Sequence, residues 1–322
     1  MARVLTLTMN PTIDLSTSVD RVLPTQKLRC TVGRRDAGGG GVNVGRVVRR
    51  LGSDVVAIYP AGGVTGQLLR QLVDKEDITS VMIPIREETR ENFTALEATT
   101  GEQYRFVLTG PQLRESEWQH CIETFAAQSV RPDVIVASGS LPPGVPDDFY
   151  GRIAAIAENW GSRMAVDASG LALNAALNHR VYLIKPNLRE LQELIGAPLG
   201  DQAAQIAACR TLVSDRKAQA VALTLGDQGA LLITKKAAWL AEPPAVKSVS
   251  AVGAGDSFLG GMAWALASGC ALEVAFKYGI AAGSAAVLSP GTELCQARDV
   301  RRLVEQVSIQ RLEVSARADR SC

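Results

Sequence analysis

Short apolar runs alternate along most of the chain with longer segments whose apolar residues recur every three or four positions. The short runs predict buried strands and the longer segments predict helices. This alternation is typical of parallel sheets, because parallel strands need crossover connections that are usually helical. The pattern therefore predicts an α/β fold with a doubly wound, mainly parallel sheet flanked by helices, and ligands at the carboxyl ends of the strands. The predicted strands cover residues 4–8, 55–59, 134–138, 164–167, 183–185, 220–225 and 230–234. The predicted helices cover residues 41–51, 66–75, 115–128, 147–160, 187–195 and 203–214, with a further pair after Ser257 that ends near Leu266 and Leu288.

Two stretches, residues 15–35 and 89–108, depart from this alternation. Both alternate polar residues with Thr, Val and Phe, and the second contains a turn at Thr100-Gly101, which is the pattern of exposed antiparallel strands. We expect them to form a small separate sheet, a lid or a dimer clasp inserted in one main domain over residues 1–307. Residues 308–322 are polar without periodicity and are expected to form a frayed tail.

A glycine-rich turn, S-V-S-A-V-G-A-G-D-S-F-L-G-G at residues 248–261, precedes one of the predicted helices. Gly253 and Gly255 permit a positive φ or a close approach of the backbone to a ligand. A turn that opens into a helix directs free N–H groups and the positive end of the macrodipole at one spot, where an anion can bind. Asp256 would stand beside that anion. It either accepts a proton from a group that attacks a bound phosphate, or it only caps the helix.

Composition narrows the functional classes. The chain has 322 residues, 47% of them hydrophobic and 21% charged, as in ordinary globular proteins. Its 34 Lys and Arg against 33 Asp and Glu leave a formal charge of +1, so bulk charge does not indicate nucleic acid or a membrane surface as a partner. The N-terminal residues lack the pattern of a signal peptide, no apolar stretch has about 20 residues, and six separated cysteines lack a C-x-x-C pair. We therefore expect a cytoplasmic protein with reduced thiols.

Three common nucleotide or nucleophile motifs are missing from the sequence. No Gly-Lys dipeptide occurs, so a P-loop is absent. The first predicted strand is followed by Asn10-Pro11 rather than by G-x-G-x-x-G, which disfavours a nicotinamide dehydrogenase. No G-x-S-x-G elbow is formed at Ser257. A nucleotide, if bound, is held by other means.

A second glycine run, Gly38 to Gly41, lies immediately before a predicted helix. It is either a flexible hinge or a place where backbone approaches a polyol, with Asp14 and Asn43 on the sugar hydroxyls. The two lid stretches also carry cations, which are either solvated or serve as counter-ions of a substrate phosphate. These cations are Lys27, Arg29 and Arg90.

Two further turns follow predicted strands. Asn187 and Glu190 have the spacing of a capping box, or they orient a hydrated Mg²⁺ and the phosphates that it bridges. The turn at residues 224–229 is either a hairpin loop or a nucleotide contact.

Taken together and in this order, these motifs resemble the PfkB family of carbohydrate kinases in the ribokinase superfamily. The resemblance extends from N-P-T-I-D at residues 10–14 to Gly291, and its two signatures are the loop from Gly38 to Asn43 and the G-A-G-D sequence at residues 253–256. It implies a ribokinase-like kinase domain in which Asp256 is the general base. It also implies that Gly253 belongs to the catalytic turn, that the N–H groups of Ala254 and Gly255 form the anion hole for the γ-phosphoryl group of ATP, and that Glu190 with Asn187 positions Mg²⁺ through water.

Within that family the sequence resembles the minor-isozyme 6-phosphofructokinases of bacteria. The resemblance is carried by Q-K-L-R-C at residues 26–30, by four consecutive glycines without the lysine common in 1-phosphofructokinases, and by G-E-Q-Y-R-F-V at residues 101–107. It implies a glycolytic transfer from ATP to the 1-hydroxyl of fructose 6-phosphate. Tagatose-6-phosphate kinase and 1-phosphofructokinase remain alternatives, and a non-catalytic sugar-binding or nucleotide-binding regulator is an alternative of a different class.

The resemblance also implies a set of binding residues. Substrate would be bound by Asp14, Gly38, Gly39, Gly40, Gly41, Asn43 and Ser140, with Lys27, Arg29 and Arg90 nearer its phosphate. The nucleotide would be bound by Lys185, Asn187, Thr224, Gly226, Gly229, Ser248, Ile280 and Ser284. A monovalent cation, K⁺, would be bound by Ser250, Val252, Ala286, Ser289 and Gly291, although Ala251 and Glu293 depart from the pattern of the family and its minor isozymes at that loop. A homodimer through the lid sheet and inhibition by a second ATP are further implications.

Overall fold

A computed structural model describes residues 4–312. A ten-stranded sheet runs through the centre, in the order β14-β13-β12-β11-β10-β9-β8-β1-β4-β5. The seven neighbouring strands β11, β10, β9, β8, β1, β4 and β5 pair in parallel. The other three, β12, β13 and β14, form the antiparallel edge next to β11. The strands of this sheet are β1 Val4–Leu7, β4 Val55–Ala61, β5 Thr79–Pro84, β8 Val134–Ser138, β9 Arg163–Asp167, β10 Val181–Ile184, β11 Ala218–Thr224, β12 Ala230–Thr234, β13 Ala238–Glu242 and β14 Ser308–Leu312. The predicted mainly parallel sheet is therefore confirmed.

Helices cover both faces of this sheet. Successive strand residues alternate between two apolar clusters, as Val134 and Ile135 do on β8, because side chains along a strand point to opposite faces. One cluster packs against α1 Gly40–Arg50, α2 Gly63–Lys75, α8 Ala254–Ala267, α9 Leu272–Ala286 and α10 Ala297–Val304. The other packs against α3 Glu115–Ala126, α4 Phe149–Trp160, α5 Gly170–Ala176, α6 Leu188–Ile195 and α7 Gln202–Ser214. This double layer places loops, and hence ligand sites, at the strand ends.

The two stretches that break the alternation form a small sheet of four strands, in the order β3-β2-β6-β7. Its strands are β2 Thr12–Val19, β3 Arg34–Gly38, β6 Arg90–Glu97 and β7 Gln103–Phe106. The predicted turn between residues 97 and 103 is present, but the central pair, β2 and β6, is parallel rather than antiparallel. Both strands leave the main sheet from the carboxyl ends of parallel strands, β1 and β5, so they run in the same direction.

The expected polar tail begins later than predicted. Residues 308–312 form the edge strand β14, which pairs with β13 from Glu242↔Ser308 to Ala238↔Leu312. Only Ile309 and Leu312 of these five residues are apolar, so the hydrophobic pattern of a strand is weak here. Backbone pairing with β13 determines the strand. Residues 313–322 of the expected tail lie outside the described residues. Within residues 4–312, no helix has the length and apolar character that crossing a membrane requires.

Candidate active site

A cleft of about 310 Å³ opens at the carboxyl ends of β8 and β9, between the main sheet and the small sheet. We call it the sugar cleft, because it collects the residues predicted to bind a polyol. Its walls include the strands of the small sheet, the first turn of α1, the ends of β8 and β9, and the N-termini of α6 and α8. The lining includes Asp14, Gly39, Gly40, Asn43, Arg90, Ser140, Glu190, Gly253 and Asp256 among the predicted residues, and also Asn92, Arg105, Ser138, Asp167 and Thr292.

Asp256 lies in the first turn of α8, with its carboxylate facing the sugar cleft. Gly253 occupies the N-cap position at φ 76°, a backbone conformation that favours glycine, and the Leu294 side chain packs against it. The alternative in which Asp256 caps α8 is therefore wrong. Of the first-turn N–H groups, that of Ala254 donates to the Ala251 carbonyl at 3.3 Å.

Burial, together with the nearby charge of Asp167, raises the pKa of Asp256 to about 6. The hydrogen bond from Asn43 Nδ2 to Asp256 Oδ2, 2.8 Å long, and the charge of Lys185 oppose this rise in pKa. A carboxyl group with this pKa is about nine-tenths ionised at pH 7 and is more basic than an ordinary aspartate. Asp256 therefore combines the ionised state with the basicity that a general base needs.

The glycine run before α1 is tightly packed, so the interpretation as a flexible hinge is wrong. Gly39 has φ 102°, and a Cβ on Gly40 would overlap the hydroxyl of Ser138 at the end of β8. The run thus brings the backbone of α1 against β8 and leaves buried Asn43 within reach of Asp256. Gly38 and Gly41 are buried in the same run, beside Asp14 and Thr8.

Asp14 and Arg90 enter the sugar cleft from neighbouring strands of the small sheet. Burial raises the pKa of Asp14, while Asn92 Nδ2 donates a 3.0 Å hydrogen bond to its Oδ1 and the charges of Arg105 and Arg90 lower it. Arg90 donates to the carbonyl oxygens of Asn10, at 2.8 Å, and Leu108, at 2.6 Å, while its buried Nε has no partner within the described residues. The backbone thus holds this guanidinium in place with one donor unused.

The other two predicted cations are not brought into the sugar cleft. Lys27 and Arg29 are exposed on the loop between β2 and β3, and neither lines the cleft. Arg105, on β7, lines it instead. Its sequence signal was the alternation of Q-Y-R-F along a predicted lid strand, which places Arg105 and Gln103 on the same face. Ser140 lies in the predicted position, where its hydroxyl accepts a 3.2 Å hydrogen bond from Asn10 Nδ2.

A second recess lies on the other side of the α8 N-terminus, and we call it the nucleotide cleft. It consists of two adjoining cavities of about 430 and 320 Å³ that share Gly226, Pro243, Ala254, Gly283 and Ser284. Gly255 lines this cleft, whereas Gly253 and Asp256 line the sugar cleft, so the first turn of α8 separates the two. All eight predicted nucleotide residues line it, namely Lys185, Asn187, Thr224, Gly226, Gly229, Ser248, Ile280 and Ser284.

A buried ion pair joins the two clefts. Lys185 Nζ lies 3.1 Å from Asp167 Oδ1, and the Lys185 side chain is only 7% exposed. Burial lowers the pKa of Lys185, but the carboxylate of Asp167 overcomes this and raises it above the usual value. Asp167 ends β9, and the sequence offered one sign of it: a carboxylate as the last residue of the predicted strand M-A-V-D.

Asn187 and Glu190 satisfy the capping-box interpretation. Asn187 Oδ1 accepts a 2.9 Å hydrogen bond from the Glu190 N–H, and Glu190 Oε2 accepts one of 2.9 Å from the Asn187 N–H. Glu190 also lines the sugar cleft and Asn187 the nucleotide cleft, so the box stands between them. No group of three or more acidic, His or Cys side chains within residues 4–312 has the arrangement of a metal centre. The donor set therefore fits Mg²⁺ carried by phosphates and water better than a cage of protein ligands.

The residues predicted to bind a monovalent cation meet in one loop region behind α8. Ser250 Oγ donates to the Gly291 carbonyl at 3.4 Å and accepts from the Val252 N–H at 3.2 Å, while the Ser289 N–H donates to the Ala286 carbonyl at 3.0 Å. These hydroxyl and carbonyl oxygens have the chemistry that a hard cation prefers. Of the two departures, Ala251 lines the nucleotide cleft, and Glu293 forms a 2.9 Å ion pair with Arg34.

Comparison with known proteins gives concordant results. The profile described as pfkB family carbohydrate kinase matches residues 6–298. The chain is similar to ATP-dependent 6-phosphofructokinase isozyme 2 of Mycobacterium tuberculosis, with 42% identity over 94% of this chain and 89% of that protein. It is also similar to the crystal structures of phosphofructokinase-2 from Escherichia coli. The complex with fructose-6-phosphate has 38% identity and a TM-score of 0.89, and the complex with potassium has 39% and 0.91, each over 95% of this chain and 99% of that one. The ribokinase-like fold expected from the sequence is thus confirmed.

Proposed function

This chain belongs to the pfkB family of carbohydrate kinases, whose members use ATP and magnesium, and on that premise we propose that it phosphorylates fructose 6-phosphate at the 1-hydroxyl. The products are fructose 1,6-bisphosphate and ADP. The observation that carries the proposal is the position of Asp256 in the first turn of α8, with the sugar cleft on one side and the nucleotide cleft on the other. An acceptor hydroxyl and a γ-phosphoryl group would meet at that turn.

Asp256 is the general base of the proposed reaction. As the 1-hydroxyl oxygen forms its bond to the γ-phosphorus, its proton passes to Asp256, and the bond from phosphorus to the ADP oxygen breaks. Asn43 donates to Oδ2, and no hydrogen bond to Oδ1 is formed within residues 4–312, so Oδ1 is the oxygen left for the hydroxyl. Phosphoryl transfer depends mainly on positioning and on stabilising charge, so no covalent enzyme intermediate is needed.

The first turn of α8 supplies the anion hole in this proposal. The backbone N–H groups at Ala254 and Gly255 lie at the positive end of a 14-residue helix, where negative charge is stabilised. Lys185 adds a buried positive charge on the nucleotide side, fixed by Asp167. Mg²⁺, when bound with ATP, neutralises charge on the phosphates, and Glu190 with Asn187 would hold it through water. The loop of Ser250, Val252, Ala286, Ser289 and Gly291 would hold K⁺.

The cations of the sugar cleft favour a phosphorylated acceptor. Arg90 presents a buried, unused Nε, and Arg105 lines the same cleft, so two guanidinium groups are available for a phosphate. Asp14, Asn43 and Ser140 would then bind the sugar hydroxyls. The similarity to phosphofructokinases favours fructose 6-phosphate. Tagatose 6-phosphate and fructose 1-phosphate also carry both a phosphate and sugar hydroxyls. A regulator without catalysis would not need a buried carboxyl of raised pKa between two clefts.

We also propose a homodimer through the small sheet. That sheet and its loops carry exposed apolar side chains, including Val32, Phe106, Val107 and Leu108. Exposed apolar groups of this kind favour association. The exposed cations Lys27 and Arg29 lie on the loop of the same sheet and would contribute to phosphate binding only after a rearrangement or in the dimer.

The proposal is tested by ADP release at saturating MgATP with five acceptors: fructose 6-phosphate, tagatose 6-phosphate, fructose 1-phosphate, ribose and adenosine. We expect kcat/KM for fructose 6-phosphate to exceed the others by about 100-fold, which corresponds to about 2.7 kcal/mol of differential transition-state binding. A preference for another ketohexose phosphate would retain Asp256 as base and reject this substrate. ADP release with none of the five would reject the proposal.

A further inference from the structure

Arg46 is the largest of the fully buried side chains, with 1% of its surface exposed. It lies on α1, one helical turn after Asn43, so the two side chains share a face of the helix. Burying a guanidinium is costly unless all its donors find partners. Here its Nε lies 2.9 Å from Glu76 Oε1, and its Nη2 lies 3.4 Å from Asp36 Oδ1. Two carboxylates thus compensate the buried charge.

The remaining nitrogen reaches toward the catalytic turn. Arg46 Nη1 donates to Asn43 Oδ1 at 3.3 Å, and Asn43 Nδ2 donates to Asp256 Oδ2 at 2.8 Å. A guanidinium can only donate and a carboxylate can only accept, so each permits a single orientation of the amide between them. In the reversed orientation the amide NH₂ would face the guanidinium and its oxygen would face the carboxylate. The two contacts therefore fix the same amide orientation.

We propose that Arg46 is a positioning residue for Asp256 and that it acts through the side-chain amide of Asn43. The inference rests on the proposed function, since it assumes that Asp256 is the base. Arg46 touches neither cleft, because it is absent from the lining of both. The proposed route of its effect on the reaction is Asn43, which holds Oδ2 of the base and thereby sets where Oδ1 stands relative to the acceptor hydroxyl.

Two further contacts of the same guanidinium join the parts that surround the base. Nη1 also donates to the Ala37 carbonyl on β3, at 2.8 Å, and to the Thr292 carbonyl, at 3.3 Å. Two residues beyond Thr292, Leu294 lies against Gly253, the N-cap of α8. Arg46 therefore ties the small sheet and the support of the α8 N-terminus to the helix that carries Asn43.

The chain offers a matched control in Arg50, one turn further along α1. Arg50 pairs with the same Glu76, at 2.6 Å, and donates to the carbonyl oxygens of Glu293 and Cys295, but it does not contact Asn43. Replacing either arginine by methionine removes a partner of Glu76 and a tie to the same loop. Only Arg46→Met removes the donor that holds the Asn43 amide on the side opposite Asp256.

The experiment compares steady-state kinetics and melting temperature for Arg46→Met and Arg50→Met, using the sugar phosphate that the wild-type protein turns over fastest. We expect both variants to melt earlier. Arg46→Met should lower kcat about 10-fold to 100-fold, as small misplacements of reacting groups do, and leave KM for ATP within about 3-fold. Arg50→Met should keep kcat within about 3-fold of wild type. Equal losses of kcat in the two variants would overturn the proposal.

A double-mutant comparison tests whether Arg46 acts through Asn43. In the Asn43→Ala background, Arg46→Met should change kcat by no more than about 2-fold, because residues that act through one another are not additive. Additive losses would contradict the proposal. If Arg46→Met does not fold, Arg46→Lys replaces it. That variant keeps the buried charge without the planar fork and should still lose about 10-fold in kcat. Wild-type kcat in Arg46→Lys would overturn the inference.

The two proposals fail in different ways. If the wild-type protein prefers another sugar phosphate, the substrate assignment is wrong and the Arg46 comparison is still made on that sugar. If the wild-type protein phosphorylates fructose 6-phosphate and the two arginine variants behave alike, the function stands and the role of Arg46 is wrong. A wild-type protein without kinase activity would overturn both.

Discussion

The two clefts beside α8 are lined by different kinds of residue. Charged and amide side chains from the small sheet and from α1 line the sugar cleft, among them Asp14, Arg90 and Asn43. Glycines, small residues and prolines line most of the nucleotide cleft, with Lys185 as its buried charge. The sugar cleft therefore selects its ligand through side-chain contacts that single substitutions remove. The nucleotide cleft depends on backbone shape, which substitutions disturb by adding atoms.

Substitution of Asp256, the residue between the two clefts, should give the largest loss of kcat. Asp256→Asn keeps the shape of the side chain and removes its basicity, so we expect kcat to fall by about 10²-fold to 10⁴-fold. Since the variant changes no group that lines the nucleotide cleft, the Kd for MgATP measured by calorimetry should stay within about 3-fold. Near-normal turnover in this variant would reject Asp256 as the base.

The sugar side should respond to loss of charge. Arg90→Met removes a guanidinium that is held by two carbonyls and has one donor unused, so we expect KM for the sugar phosphate to rise about 10-fold to 100-fold, as for a charge-assisted hydrogen bond. KM for ATP should hardly change. Arg70→Met is the matched control, because Arg70 is an exposed arginine of α2 outside the sugar cleft. An equal rise in KM in both variants would reject Arg90 as a contact of the substrate phosphate.

A fall in pH should lower kcat/KM by protonating Asp256, the proposed base. Because burial and Asp167 raise the pKa of Asp256 to about 6, its carboxylate is protonated below that pH and cannot accept a proton. The expected kcat/KM profile falls about tenfold per pH unit below pH 6. The residual activity of Asp256→Asn should lack this limb. A wild-type profile flat down to pH 4.5 would contradict the assignment.

The same pKa predicts an effect on stability. A carboxyl whose pKa is raised in the folded state favours folding only while it is protonated, so its stability contribution is lost as the pH rises from about 4 to about 6. At pH 8 the buried, ionised carboxylate of Asp256 destabilises the folded state. Asp256→Asn should therefore raise the free energy of unfolding by about 1–3 kcal/mol at that pH. Urea denaturation at pH 8 and pH 4 checks this, since no gain is expected at pH 4.

The smallest expected effects compare the backbone of the two clefts. Gly40→Ala places a methyl group against Ser138, and Gly229→Ala places one against the Ala241 carbonyl at φ 92°. Each should destabilise the protein by about 1–3 kcal/mol. We expect the first to raise KM for the sugar and the second to raise KM for ATP, as steady-state kinetics would show. Gly200→Ala, with open space around it, is the control; a shared defect in all three would remove the distinction.

The sequence was sufficient for the parallel part of the main sheet except its edge strand, β5. That strand, T-S-V-M-I-P, has a polar start and half-buried residues, so its apolar pattern is weak. The antiparallel edge, β13 and β14, was missed for a related reason, because pairing across non-local segments determines it. Short helices such as α5 and α10 have too few turns for periodicity to identify them.

For the site, local motifs alone left the turns at residues 187–190 and 224–229 open between a structural and a functional role, and the family resemblance supplied the set of eight nucleotide residues. All eight line the nucleotide cleft. The Asp167 to Lys185 ion pair was missed, because it requires β9 and β10 to be neighbours. Lys27 and Arg29 were expected near a substrate phosphate because they lie in a predicted lid stretch, and in this chain they lie on an exposed loop.

The parallel seam between β2 and β6 has an evolutionary consequence. The small sheet is assembled from two insertions far apart in the chain, each an antiparallel hairpin, and within the sheet the β2–β6 seam pairs one with the other. A lone two-stranded hairpin is only marginally stable in water, so neither insertion makes a durable lid by itself. A lineage that loses either hairpin therefore loses the whole sheet, and with it Asp14 and Arg90, which stand on opposite sides of the seam.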